Sequence, residues 1–276
     1  MTDAAAPPGE PETAVTDGPV TERATCLLAP NPSMMTLDGT NTWVLAEPGA
    51  REVVVVDPGP LDEEHLARVA ATATAGGRTV ALTLLTHGHP DHSDGAERFA
   101  ELTGSAVRAR DAAFCRGAEP LVAGELLLVD GLRLSVIPAA GHTADSVALL
   151  LTADGALLSG DTVLGRGTTV VDHPDGDLGD YLDTLRRLRA TVVDDEVRVV
   201  LPGHGPVLRD PVGAIDFYLV HRAKRLAQVE SAVEAGHRTP AEVVAHVYAD
   251  VDRSLWPVAE RSVRAQLEYL TEHGLI

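Results

Sequence analysis

The chain has 276 residues and a formal net charge of −19. That is long enough for one large body with a small appendage, and acidic enough to exclude non-specific attraction to phosphate backbones or anionic membrane surfaces. Residues 219–276 carry 7 basic and 8 acidic side chains, whereas residues 1–218 carry 15 and 33, so an anionic substrate meets an acidic body and needs positive charge supplied at the site.

Residues 1–20 are rich in Ala, Pro, Glu, Asp and Thr and read as a disordered tail. They lack the basic start and apolar stretch of a secretion signal, and no apolar run is long enough to span a bilayer, so a cytoplasmic protein with no membrane partner is expected. From Ala24, apolar runs alternate with turn signals. ATCLLAP, NTWVLAE and EVVVVDPGP read as strands, LDEEHLARVAATATA as a helix, and RTVALTLLT as a buried strand running into THGHPDHSDGAERFAELTG, a loop followed by a helix. ELLLVD, LRLSVIPA, SVALLLTAD and ALLSGD continue as strands, LGDYLDTLRRLRATV as an amphipathic helix, and VRVVLPGHGPV as a last strand and loop. Two strand-rich halves with helices imply two packed sheets covered on the outside.

The character changes at Asp210-Pro211, a helix-start signal. A long helix to Gly236, a capping box at Thr239-Pro240-Ala241-Glu242 and a final helix follow, a bundle of winged-helix or helix-turn-helix kind. The expected division is tail 1–20, catalytic body 21–209 and helical module 210–276.

Chemistry concentrates in Thr86-His87-Gly88-His89-Pro90-Asp91-His92 at the end of an apolar strand. Side chains two apart on an extended segment point the same way, so His87 and His89 can share one metal, while Asp91 and His92, at the following turn, can reach a second position. His142 in AGHTADS, Asp161 in LLSGDT and His204 in LPGHGP each follow an apolar strand and sit beside Gly, where a scaffold places site residues. Imidazole and carboxylate donors suit zinc; iron and manganese are also compatible. There is no Cys-x-x-Cys pair, which argues against a structural zinc ribbon, and Cys115 reads as a core residue.

Weaker features stay open. Asn41 is placed either at the substrate edge or as a stabiliser of its turn. His173, Arg166 and Thr168 follow Asp161 on a Pro/Gly-rich stretch and are candidates for the substrate edge. The cluster His221, Arg222, Lys224 and Arg225 reads as a solvated helix face, with phosphate contact as the alternative.

The succession THGHPDH, GHT, SGDT and PGHG resembles the metallo-β-lactamase superfamily over roughly residues 24–210. The resemblance implies a four-layer αβ/βα sandwich with two metals at one edge. It assigns His87, His89 and His142 to the first metal, Asp91, His92 and His204 to the second, and Asp161 as the bridge. NPSMMTLDGTNTWVL, GTTV and HRAKR, with the C-terminal helices, resemble more narrowly the lactamase-beta-two-like group. That group includes a single-strand endoribonuclease and thioesterases that release polyketides from carrier proteins. The function implied is hydrolysis by a water shared between two zinc ions, its pKa lowered toward about 7, with Asp91 and Asp161 as the catalytic carboxylates. The leading substrate is a small-molecule or carrier-bound thioester, ester or lactone. Single-stranded RNA is the alternative. A persulfide dioxygenase-type iron oxygenase and a DNA-binding regulator rank below these, and the low basicity of the C-terminal module argues against duplex DNA.

Overall fold

A computed structural model describes residues 17–171 and 173–276. Residues 1–16 of the expected tail lie outside the described residues. Gly18 and Pro19, assigned to the same tail, form a two-residue strand (β1) against the next one.

Six strands make the first sheet in chain order: β1, β2 (Ala24–Leu28), β3 (Asn41–Leu45), β4 (Glu52–Val56), β5 (Thr79–Leu84) and β6 (Ala106–Arg108). The second sheet contains β7 (Leu126–Val129), β8 (Leu132–Pro138), β9 (Val147–Leu151), β10 (Ala156–Gly160) and β11 (Val199–Pro202), in the order β11-β10-β9-β8-β7. The β4–β5, β5–β6 and β10–β11 pairs are parallel, and the other strand pairs are antiparallel.

Alternation along each strand builds the layers. Val54 and Val56 of β4 face the second sheet, packing with Leu149, Leu151 and Leu158, while Val53 and Val55 face outward onto Leu66, Val69 and Phe99. Those outer residues belong to α1 (Glu63–Ala73) and α3 (Ala96–Thr103). On the other side, Ala148, Leu150 and Leu157 meet Leu182, Leu185 and Leu188 of α4 (Leu178–Asp194) and Ile215 of α5 (Pro211–Glu234). Both sheets are therefore apolar on two faces, which is why EVVVV and VALLL read as unbroken apolar runs. The result is the expected four-layer αβ/βα sandwich.

Helix starts follow local chemistry. Asp62 and Asp177 accept the third-residue N–H of α1 and α4, and Asp210 does the same for α5 with Pro211 at the first position. The capping box at Thr239 forms as expected and opens α6 (Pro240–Val247), followed by α7 (Trp256–Glu272). Residues 211–276 contain helices and no strand. The expected boundary at 210 coincides with the start of α5, but that helix serves both bodies. Its first half (Ala214, Ile215, Tyr218) packs on α4, and its second half (Val229, Ala232, Val233) on α6 and α7. Among the described residues no helix is long and apolar enough to cross a membrane.

Two tyrosines tie these helices to the strand end that matters. Tyr181 of α4 donates to the Thr162 carbonyl at 2.7 Å, and the Leu164 N–H donates to Tyr218 of α5 at 2.8 Å. Tyr218→Phe is expected to leave the buried Leu164 N–H unpaired and to lower stability by about 1–3 kcal/mol, read as a shift of the denaturation midpoint. A change below a few tenths would show that this bond contributes nothing.

Candidate metal centre

The donors converge where the C-terminal ends of β5, β10 and β11 meet the loop entering β9. After β5, Thr86 turns the chain and His87 and His89 lead into α2 (Pro90–Ser93), with Asp91 and His92 in its single turn. The ligating atoms of His87, His89, His142 and Asp161 lie within 4.8 Å of one another, and so do those of Asp91, His92 and His204. His89 Nδ1 is 3.0 Å from His87 Nε2 and 3.1 Å from His142 Nε2. His204 Nε2 is 3.2 Å from each of His92 Nε2, Asp91 Oδ2 and Asp161 Oδ2. Asp161 Oδ1 is 3.4 Å from His92 Nε2, and its Oδ2 is 3.8 Å from His142 Nε2, so this carboxylate lies between the two sets.

The remaining imidazole nitrogens decide what the cluster can do. His92 Nδ1 donates to Asp57 Oδ2 at 3.0 Å, His142 Nδ1 to the Val170 carbonyl at 2.6 Å, and His204 Nδ1 to the Gly39 carbonyl at 3.0 Å. Thr86 Oγ1 donates to Asp57, leaving it to accept from His87 Nδ1 at 3.0 Å. Each of these four rings is thereby fixed with its Nε2 facing inward, the arrangement that orients metal-ligating imidazoles. Nitrogens about 3.3 Å apart are the spacing that a tetrahedral ion with bonds near 2.05 Å imposes. Asp161 Oδ1 is buried and lacks a hydrogen-bond partner. A donor set of this kind fits two cations.

Gly203, before His204, has no room for a side chain. A Cβ there would lie 2.4 Å from Asp161 Oδ1 and 2.8 Å from His92 Cε1. Electrostatics run the same way. Burial works against ionisation of Asp161 and Asp91, but the neighbouring His92 and His204 outweigh it and hold both carboxyls well below the carboxylate range. Burial also disfavours a charged His204, yet Asp161 and Asp91 outweigh it and push His204 up to about 9. Burial lowers His87 and His142.

Above the cluster lies a cavity of about 460 Å³. His89, Asp91, His142, Asp161 and His204 form its floor, with Met34, Met35, Leu37 and Leu164 along its apolar walls and Arg166, Thr168 and Arg261 along polar ones. Arg261 belongs to α7, so the C-terminal module contributes to the wall.

Of the substrate-edge candidates, Arg166 and Thr168 border this cavity. Arg166 is held there by a two-pronged pair with Asp38 at 2.6 and 2.9 Å. Asn41 does not border it. It is fully buried, and its amide donates to the Pro202 and Gly205 carbonyls, so it shapes the loop that carries His204. His173 is also absent from the cavity lining and pairs with Glu268 of α7 at 3.2 Å. Arg222 departs from the solvated-face reading, being only 7% exposed. Cys26 and Cys115 are both free, Cys115 half-buried away from the donors.

Asp57 was missed as a site residue. It caps β4 with a left-handed φ of 51° and accepts from the Thr86 N–H, the Thr86 hydroxyl and His92. Its one signal was an acid at the end of a four-valine run, ahead of Pro-Gly. Thr40 was missed too; its hydroxyl donates to Asp91 Oδ2 at 2.9 Å.

The chain matches the family described as "Metallo-beta-lactamase superfamily" over residues 35–204, and "Beta-lactamase associated winged helix domain" over residues 239–276. It is 30% identical to "Beta-lactamase-like protein 2 homolog" of Drosophila melanogaster, across 90% of this chain and 87% of that one. It is 30% identical to "Atrochrysone carboxyl ACP thioesterase" of Aspergillus chevalieri, across 84% of this chain and 75% of the relative. A crystal structure of a metallo-beta-lactamase family protein from Thermus thermophilus superposes with a TM-score of 0.75 at 24% identity, covering 91% and 94% of the two chains, which shows a shared fold.

Two outcomes are expected. Asp57→Asn keeps the size but weakens the grip on His92, and should lower metal affinity about 10–100-fold, measured by competition with a chromogenic chelator; unchanged affinity would remove Asp57 from the site. The second concerns protons. A histidine raised from its ordinary 6.5 to about 9 adds stability below its ordinary value and loses it as pH rises through about 9. A cation must displace that proton, so loading at pH 7 should release protons, seen as a buffer-dependent calorimetric heat. Uptake without release would exclude His204 as a ligand.

Proposed function

The chain belongs to the metallo-β-lactamase superfamily and is a hydrolase of it, and from that premise we propose that it cleaves an acyl bond, foremost a thioester of a small or carrier-bound acyl group, at a centre of two zinc ions. The observation that carries the reading is the pair of adjoining donor sets with Asp161 between them, at the floor of a cavity open to a substrate. His87, His89 and His142 would hold one ion, Asp91, His92 and His204 the other, and Asp161 both. The all-nitrogen-and-oxygen donor set supports zinc. When bound, such a pair supplies an activated water at neutral pH and Lewis-acid polarisation of the carbonyl.

The chain's own residues do the rest. Asp91 is fixed by Thr40 and faces the cavity, so it is positioned to take the proton of the attacking water and to hand it to the departing thiol. Met34, Met35, Leu37 and Leu164 offer an apolar wall for the acyl group, and Met34 and Met35 are 61% and 43% exposed at the lip. Unbranched methionines adapt to varied acyl shapes. Arg166 and Arg261 border the side where the polar part of the substrate would lie. The thioesterase name of one relative agrees with a carrier-bound substrate, and the acidic body disfavours a long polyanion.

The test is a substrate panel on protein of measured metal content: acyl thioesters, lactones, nitrocefin, a persulfide and labelled single-stranded RNA. Near two equivalents of zinc and turnover of thioesters are expected. Cleavage of RNA alone, or one iron with oxygen uptake on persulfide, would overturn the acyl reading. Asp161→Ala should cost more than about tenfold in turnover, the low end of what lost metal-site partners cost, while the variant still folds. Retained activity above about a tenth of wild type would contradict a bridging role.

A further inference from the structure

A second cavity, of about 270 Å³, lies between α5, α7 and the segment that joins α6 to α7. Thr168, Thr169 and Val170 border both this cavity and the one above the donors, so the two adjoin across a three-residue rim. The rim is part of the site, because Val170 accepts from His142 Nδ1 and the Thr169 hydroxyl lies 3.2 Å from the same nitrogen.

The second cavity is lined by arginines together with apolar and neutral polar groups, and among the described residues no acidic side chain borders it. Arg222 is 7% exposed; it donates to the Thr169 carbonyl, lies over the Tyr181 ring at 5.0 Å, and leaves its Nε without a hydrogen-bond partner. Among the described residues it forms no ion pair. Arg225, one turn on, rests over the Tyr248 ring at 4.9 Å and donates to Gln228. Val251, Leu255 and Val258 close the opposite side. A buried guanidinium without a carboxylate is costly, and in a chain of net charge −19 counter-charges are plentiful. That no carboxylate among the described residues pairs with this cation, at the edge of a substrate cavity, points to a charge that arrives with the ligand.

We propose that this cavity is an anion subsite, in which Arg222 and Arg225 receive a phosphate or carboxylate group of the acyl substrate while its reacting bond lies over the donors across the Thr168–Val170 rim. The inference rests on the acyl-hydrolase reading and narrows it to substrates carrying such a charge. Planar guanidinium groups suit either oxyanion, through paired hydrogen bonds. Two sources carry that chemistry: the phosphate of a phosphopantetheine-type thiol arm, and a carboxylate on the acyl part.

Calorimetric titration separates them without turnover. The probes are pantetheine, 4′-phosphopantetheine, and a pantetheine amide bearing a succinyl group as an uncleaved stand-in for a charged acyl thioester. One charged probe should bind at least about tenfold tighter than pantetheine, the scale of a charge-assisted hydrogen bond, and which one does so identifies the source. Arg225→Gln should reduce that ratio to below about threefold and Arg225→Lys should keep part of it, since a lysine retains the charge without the fork. Equal binding of all three probes, or a preference that survives Arg225→Gln, overturns the subsite. An Arg225-dependent preference in a protein that hydrolyses no thioester keeps the subsite and removes the acyl reading.

Discussion

The site depends on a seam of hydrogen bonds between two sheets whose facing surfaces pack through apolar contact. The Asn41 N–H donates to the Gly203 carbonyl at 2.7 Å, the Asn41 amide and the Trp43 indole donate to the Pro202 carbonyl, and the Val147 N–H donates to the Thr86 carbonyl at 2.8 Å. The first three tie β3 to the end of β11 and the loop after it, and the fourth ties the end of β5 to the start of β9. Packing between sheets is non-directional and tolerates sliding. Backbone bonds at fixed residues do not, so they set the distance between the histidines that follow β5 and the His204 loop. Asn41, buried and bonded to two carbonyls of that loop, is the member with the most to lose.

Around that seam the protein accumulates groups that repel or desolvate one another. Five imidazoles turn a ring nitrogen toward two adjoining donor sets, and two carboxylates join them. Nothing apolar offsets this, and burial alone would favour neutral forms. The bonds from Asp57, Thr86, Val170 and Gly39 hold the rings in place against that cost. The arrangement is therefore prepared in advance for positive charge at the floor of the cavity.

The C-terminal helices are continuous with this machinery. α5 runs from the α4 layer into the helical bundle, and Tyr218 on its first half fixes the segment just after Asp161. α7 brings Arg261 to the substrate cavity. The module acts as a wall and as a brace for the Asp161 loop.

The sequence by itself determined the elements and the donors. Val53–Val56 and Val147–Leu151 were legible as strands because residues buried on both faces leave an unbroken apolar run, and the capping box at Thr239 because its partners are three residues apart. His142, Asp161 and His204 were legible because each follows such a run beside Gly, and His87, His89, Asp91 and His92 because four donors fall within six residues at the end of one. What only the tertiary structure decided is what those donors lean on. Asp57 and His92 are 35 positions apart, Thr40 and Asp91 are 51 apart, and Arg222 and Thr169 are 53 apart. No local periodicity links such pairs. That the sequence left Asn41 open between two roles and put Arg222 on a solvated face has the same cause. A side chain's neighbours across a sheet seam or a helix interface are set by packing between distant segments, and composition near the residue carries no record of which segment arrives.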